Sequence, residues 1–359
     1  MMKVGILTFH NAINYGAVLQ TYATQEILKQ LGCEAEVIDY HNLSTDEAYS
    51  GFSFKRLHKY NPKHFVAYVI DCLRLKKRKN AFAEFSNSYL QLSKIRYNQG
   101  DDKAIDGYDD ILIGSDQLWN TKITKGFDEV YWGNFKAQNA NKIAWAISMN
   151  YMNHDSDVDK IKSYLTNFYA ISVREGTLKA WLEKITSKQI NIVIDPTLVL
   201  SDKFWNKITP QNNYGEYILS FSVEFQDMVY NTAKELGKQT GLKVIYLKAY
   251  SDHKFGKNII QYAGPLEFLS FVKYAKYVVT GSFHGTAFSI IFRKNFYSVM
   301  DKSKPNTRVY SLLSTLGLNE RICEFNEYKP LPDIDYTKVD KILNEKRQEA
   351  MSFLESSLK

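Results

Sequence analysis

The segment best equipped for chemistry runs Thr280-Gly281-Ser282-Phe283-His284-Gly285-Thr286 and follows the apolar pair Val278-Val279. A buried strand thus enters a glycine-flanked turn that carries a histidine into an apolar helix. Backbone N–H groups at a helix start have no intrahelical partner, so they converge where His284 projects. The result is an anion site beside a residue type that titrates near working pH. The hydroxyls of Ser282 and Thr286 lie in the same turn. Other histidines, such as His41, His58, His64, His154 and His253, fall in loops or charged stretches with no nameable partner.

Three more segments leave strand-like runs, and ligands of open parallel sheets bind beyond the carboxyl ends of the strands. Asn14-Tyr15-Gly16 leads into a helix and reads either as a loop for a polar or anionic ligand or as a tight turn; it has neither P-loop nor G-x-G-x-x-G spacing. Gly114-Ser115-Asp116-Gln117-Leu118-Trp119-Asn120 sets a carboxylate, amides and an indole close together, as a reader of sugar hydroxyls or as a cap for the next turn. Ser172-Val173-Arg174-Glu175 offers an arginine that can fork onto a phosphate or carboxylate, or else a surface charge pair.

The elements that must position these groups alternate along the chain. Apolar runs at 3–8, 37–40, 110–113, 143–147, 170–173 and 190–194 predict strands, and 17–31 predicts a helix closed by Gly32. Strand, helix, glycine, strand is a βαβ unit, and continuous apolar strands mean a parallel sheet buried on both faces. A second series predicts strands at 217–221, 243–247, 277–280 and 296–299, with helices near 224–237, 265–275 and 285–293. The expected class is α/β with two doubly wound Rossmann-like domains. Residues 1–200 form the first, with a basic helical insertion at about 42–105; 201–215 is a linker, 216–335 the second domain, and 336–359 a C-terminal helix.

Composition narrows the class further. A chain of 359 residues has room for two cores, and 45% hydrophobic with 24% charged residues excludes disordered and fibrous chains. The 14% of aromatic residues suits sugar faces as well as cores. Cys33, Cys72 and Cys323 are too far apart for a disulfide framework or metal-ligand spacing, which fits a reducing compartment. With no export signal and no long apolar run, the expectation is a cytoplasmic protein that does not span a membrane. The net charge of +7 is concentrated: nine Lys or Arg stand between Lys55 and Lys79 against the single Asp71. That stretch reads as a peripheral contact for anionic membrane or a polyanionic glycan, or as a solvated helix. It lacks the interleaved aromatics of a nucleic-acid platform.

Together with Asp195-Pro196-Thr197-Leu198-Val199-Leu200, these segments make nearly the whole chain resemble the polysaccharide pyruvyl transferase family. The resemblance implies a fold similar to the GT-B glycosyltransferases, with a cleft between an N-terminal acceptor side and a C-terminal donor side. It implies phosphoenolpyruvate as donor and, as acceptor, an oligosaccharide or lipid-linked glycan of a surface polysaccharide or its precursor, with no cofactor and no metal. On this reading His284 moves a proton, while Arg174, Ser282 and the amides of Phe283, Gly285 and Thr286 hold the donor. Asn14, Tyr15, Gly16, Asp116 and Gln117 face the acceptor. Family members often carry an arginine where this chain has Ser282, and Arg293 or Arg308 are candidates to replace it. Two rivals stand beside this reading. A GT-B nucleotide-sugar glycosyltransferase is disfavoured because no Asp or Glu lies between Glu267 and Asp301 to read a ribose. A non-catalytic glycan- or phospholigand-binding protein is compatible with the change at Ser282.

Overall fold

Strand-sized apolar runs that alternate with helical ones force crossover connections, and in the computed structural model these close two separate parallel sheets. The structure describes residues 1–42, 65–149, 157–223, 226–249, 256–301, 306–324 and 330–359. His58, His64, His154, His253 and the first half of the basic stretch lie outside them. The first sheet contains β1 (Lys3–Leu7), β2 (Glu34–His41), β3 (Leu92–Asn98), β4 (Asp110–Asp116), β5 (Asn141–Ile147), β6 (Phe168–Val173) and β7 (Ile190–Ile192), in the order β3-β2-β1-β4-β5-β6-β7. The second contains β8 (Tyr217–Ser222), β9 (Lys243–Lys248), β10 (Ile259–Ile260), β11 (Tyr277–Thr280), β12 (Asn295–Met300) and β13 (Ile322–Glu324), in the order β10-β9-β8-β11-β12-β13. Every pairing is parallel. The expected class, two doubly wound α/β domains, is the one observed.

Strand order reverses once in each sheet, at β1/β4 and at β8/β11. At such a point successive crossovers leave to opposite faces and open a crevice beyond the strand ends. The loops after β1, β4, β8 and β11 all contribute to one cavity between the sheets.

Two expected boundaries are corrected. The insertion at 42–105 is not helical throughout: the Phe65–Tyr89 helix is followed by β3, which pairs with β2 alone. As an edge strand β3 keeps one side in water, with Ile95 exposed, so it lacks the continuous apolar run by which the inner strands are read. Within the linker at 201–215, residues Asp202–Ile208 form a helix because Trp205 is fully buried, its Nε1 donating to Thr197 O at 3.0 Å.

One apolar cluster runs through both domains. Tyr15 stacks on Phe268 (centroids 4.7 Å apart, planes 9° apart) and on Phe82, while Trp205 meets Phe288 edge-on at 4.9 Å. Each large side chain buried there contributes about 1.5–3 kcal/mol, so the domains share a core rather than a loose hinge. The C-terminal helix, Tyr336–Ser357, then returns to the first domain. Phe353 packs over Trp145, Arg347 Nε donates to Leu198 O at 2.8 Å, and Lys359 N donates to Asp110 Oδ2 at 2.9 Å. Among the described residues no helix is long and apolar enough to cross a membrane.

Candidate active site

The loop after β1 becomes the Tyr15–Gln30 helix at Asn14, whose side-chain oxygen accepts from Gly16 N (2.9 Å) and Ala17 N (3.4 Å). That cap presents Gly16 bare to the opposite domain. A Cβ on Gly16 would lie 1.9 Å from Nδ1 of His284, so only glycine lets the imidazole rest against this helix. Tyr15 turns the other way: it is buried, and its hydroxyl donates to Ala263 O at 3.0 Å. Burial pushes the Tyr15 phenol up to about 12. The acceptor-facing roles expected for Tyr15 and Gly16 are therefore corrected. One ties the domains together and the other makes room for the imidazole.

On the opposite side β11 runs into Ser282, which caps the Phe283–Ile291 helix with its Oγ 3.5 Å from Gly285 N; Thr286 N bonds Ser282 O at 3.0 Å. Gly285 is pressed on Thr280, where a Cβ would come within 2.2 Å of Oγ1, and Thr286 Oγ1 pairs with Ser298 Oγ at 2.8 Å. Both residues sit beneath the cavity with their amides engaged. The donor-holding role expected of them is corrected, and the first-turn amides of Phe283 and His284 are left without an intrahelical acceptor.

His284 owes its orientation to Asp195. This aspartate caps the short Pro196–Val199 helix, its Oδ1 accepting from Thr197 N (2.8 Å) and Thr197 Oγ1 (2.5 Å). Its Oδ2 is thereby aimed at Arg174 Nη2 (2.7 Å) and His284 Nε2 (3.4 Å). Burial alone would raise the Asp195 carboxyl, but Arg174 and His284 hold it well below the usual carboxylate range. Nε2 is fully buried on this side, and Nδ1 is the ring nitrogen that meets Gly16.

Arg174 is buried as well, and is held at several points: Nε donates to Ser115 Oγ (2.9 Å) and Ala146 O (3.0 Å), and Nη2 also reaches Ser115 Oγ. Ala146 turns its carbonyl toward the guanidinium with φ 48, where the β5–β6 register shifts. Glu175 is buried too, accepting from Ser148 Oγ at 2.5 Å, and burial pushes its carboxyl up. The surface charge pair entertained for Arg174 and Glu175 is thus ruled out.

Asp116 ends β4 with φ 73, a left-handed conformation that aspartate tolerates. Its Oδ1 lies 3.4 Å from Arg308 Nη1 and 3.9 Å from Arg174 Nη1. With its oxygen turned to Arg308, the Gln117 amide sits 3.2 Å from both terminal nitrogens. The Phe283 ring lies near both guanidiniums, at 5.3 Å from Arg174 and 5.7 Å from Arg308.

These groups enclose a cavity of about 260 Å³ lined by Asn14, Asp116, Gln117, Ser282, Phe283, His284 and Arg308, among others. A second cavity of about 250 Å³ lies beyond Phe283 and Arg308 and touches Arg174 and Asp195. Arg293 takes no part, for it is exposed and pairs with Asp340 at 2.6 Å. Sequence reasoning assigned no role to Asp195, although an Asp-Pro-Thr cap at a strand exit is a legible signal. It also left Arg308 as one option among several.

No curated protein matches the chain in sequence. Among solved structures, it is similar to the UDP-GlcNAc 2-epimerase from Methanocaldococcus jannaschii (11% identity, 96% of this chain and 92% of that one, TM-score 0.44). It is likewise similar to a putative UDP-N-acetylglucosamine 2-epimerase from Listeria monocytogenes (9%, 98% and 91%, 0.46) and to the glycosyltransferase SsfS6 from Streptomyces sp. SF2575 (11%, 99% and 96%, 0.40). At this distance their substrates say nothing about those of this chain. The sequence profile described as polysaccharide pyruvyl transferase matches residues 14–303, from the Asn14 cap through the His284 turn, and the chain belongs to that family.

Proposed function

We propose that the protein transfers the pyruvyl group of phosphoenolpyruvate to two hydroxyls of a glycan, forming a cyclic ketal. One observation carries the reading: Arg308 and Asp116, 3.4 Å apart, line the cavity that His284 lines, and Arg174 stands behind them in the adjoining cavity, 3.9 Å from the same Asp116 oxygen. Arg174 Nη1 and Arg308 Nε are buried without hydrogen-bond partners. A small ligand with both phosphate and carboxylate groups is the chemistry that a cavity walled by Arg308 and backed by Arg174 favours. Arg308 supplies, from a different element, the cation that family members often carry at the position of Ser282.

The reaction follows from the charges. An acceptor hydroxyl oxygen adds to C2 of the enol phosphate while His284 gives the Nδ1 proton to C3, turning the methylene into a methyl. The hydroxyl proton recharges the imidazole, whose cationic form Asp195 stabilises from the Nε2 side. The C2–O bond to phosphate then breaks, the electron pair leaving with phosphate and the two guanidiniums opposing the charge that develops. A second hydroxyl closes on C2, and its proton departs with the phosphate. Asp116 and Gln117 orient the acceptor hydroxyls.

Mass spectrometry of acceptor oligosaccharide incubated with the protein and phosphoenolpyruvate tests the proposal. A carboxyethylidene addition is expected, and His284→Ala lowers its rate by about 10²–10⁴-fold while donor binding survives. Thermal stabilisation by a nucleotide sugar and none by phosphoenolpyruvate would overturn the reading.

A further inference from the structure

We propose that His10, Asp39 and His41 bind a first-row divalent transition-metal ion, with Zn²⁺ the best fit, at the carboxyl ends of β1 and β2. Asp39 and His41 are two residues apart on β2, so their side chains share a face. His10 leaves β1 beside them because β1 and β2 pair in parallel. The three candidate ligand atoms lie within 4.8 Å of one another. His10 Nε2 (3.0 Å) and His41 Nε2 (2.9 Å) both aim at the same oxygen, Asp39 Oδ1. A tetrahedral Zn²⁺ at its usual bond lengths holds ligand atoms roughly 3.3 Å apart, so only small adjustments are needed.

Proton accounting points the same way. A neutral imidazole has a single N–H. Nδ1 of His10 faces Thr8 O at 3.4 Å, and Nδ1 of His41 meets the Asn11 amide at 3.1 Å. With that proton on Nδ1 of His10, its Nε2 presents a lone pair to a carboxylate lone pair. His41 differs: the Asn11 Nδ2 group faces its Nδ1 at 3.1 Å, so without an ion its Nε2–H donates to Asp39 Oδ1. A divalent cation would take the place of any proton on the two Nε2 atoms and bind their lone pairs, and an Nδ1–H held by a carbonyl, as Thr8 O offers His10, is the usual support for a metal-bound histidine. Asp39 is braced likewise: Arg96 Nε binds its Oδ2 at 2.9 Å, and its amide donates to Ser93 Oγ at 2.9 Å, leaving Oδ1 for the ion. His10 and Asp39 are buried. Two imidazoles and one carboxylate favour Zn²⁺ over Mg²⁺ or Ca²⁺, which prefer all-oxygen shells.

Three protein ligands leave a fourth position, and the cluster borders a cavity of about 510 Å³ that Lys79, Phe82 and Arg96 also line. Ala12 borders both this cavity and the one containing His284. The ion would therefore brace the loop that carries Phe9 and Asn14 into the central cavity, with its open position available to water or a glycan oxygen. This proposal does not depend on the pyruvyl-transfer reading.

The test takes the full chain, stripped with a chelator and titrated calorimetrically with Zn²⁺ alone and with Mg²⁺ alone. One equivalent of Zn²⁺ is expected, with a weaker or absent Mg²⁺ response and a melting temperature raised by several degrees at about 100-fold excess over Kd. His41→Ala, at a half-buried position, is expected to weaken Zn²⁺ binding at least about 100-fold. Absence of Zn²⁺ binding by the wild type, equal binding by His41→Ala, or equal preference for Mg²⁺ would each overturn the site. If the variant fails to fold, the stripped and loaded wild type still decide, because no Zn²⁺-dependent shift in melting temperature also refutes it.

Discussion

Gly16→Ala adds one methyl group at the contact between the domains. Its Cβ would lie 1.9 Å from Nδ1, 2.4 Å from Cε1 and 2.5 Å from Cγ of His284, whereas ordinary contact begins at 3.4 Å. Because three ring atoms meet the methyl, rotating the ring does not relieve the clash. The imidazole must retreat by about 1.5 Å, and a misplacement of about 1 Å at a reacting centre costs on the order of 10²-fold in rate. Asp195 stands behind Nε2 at 3.4 Å, so the retreat also disturbs the group that orients the ring. Overpacking costs about 1–3 kcal/mol. Alanine offsets up to about 1 kcal/mol of that in a helix, where glycine is the poorer former. Activity is therefore expected to fall far more than stability. The assay is phosphate release from phosphoenolpyruvate with a glycan acceptor, read beside thermal unfolding: kcat drops about 10²–10³-fold while the protein remains folded. Wild-type kcat in a folded Gly16→Ala protein would refute the argument that the close approach at Gly16 positions the imidazole for chemistry.

Other perturbations address the charges. Asp195→Asn leaves Arg174 buried without its nearest carboxylate, at a cost of about 3–5 kcal/mol at pH 7. Because Asp195 titrates below its unfolded value near 3.9, the stability it contributes is present at neutral pH and is lost as pH falls below about 4. The gap between wild type and variant in urea melts should thus narrow on acidification to about pH 3, and a gap independent of pH would contradict the ion contacts described. Arg308→Ala removes a charged donor from the cavity and is expected to raise KM for phosphoenolpyruvate about 10–100-fold with a smaller change in kcat; an unaltered KM would exclude Arg308 from the donor site.

Much of this architecture was legible without coordinates, and the reasons are local. The inner strands of both sheets are buried on two faces and so are written as unbroken apolar runs such as Ile111-Leu112-Ile113. Edge strands β3, β10 and β13 lack that signature: β10 and β13 span only two and three residues, and β3 has Ile95 exposed to water. The His284 turn could be read from its spacing because a strand exit, two glycines and a helix start are all encoded within a few residues.

The chain's own order of residues therefore determined that there are two parallel-sheet domains, roughly where their inner strands lie, and that His284, Arg174, Asp116 and Gln117 stand near the ends of those strands. Only the tertiary structure decided which of these groups meet. Asp195 reaches His284 across 89 positions, Arg308 reaches Asp116 across 192, and Gly16 receives an imidazole from the other domain. It also turned Tyr15 into the shared core and drew His10 to Asp39. The physical reason is that local spacing specifies a helix or strand and its exposed end. Which exposed ends oppose one another depends on how two sheets pack over a common apolar core, and that is a property of the whole chain.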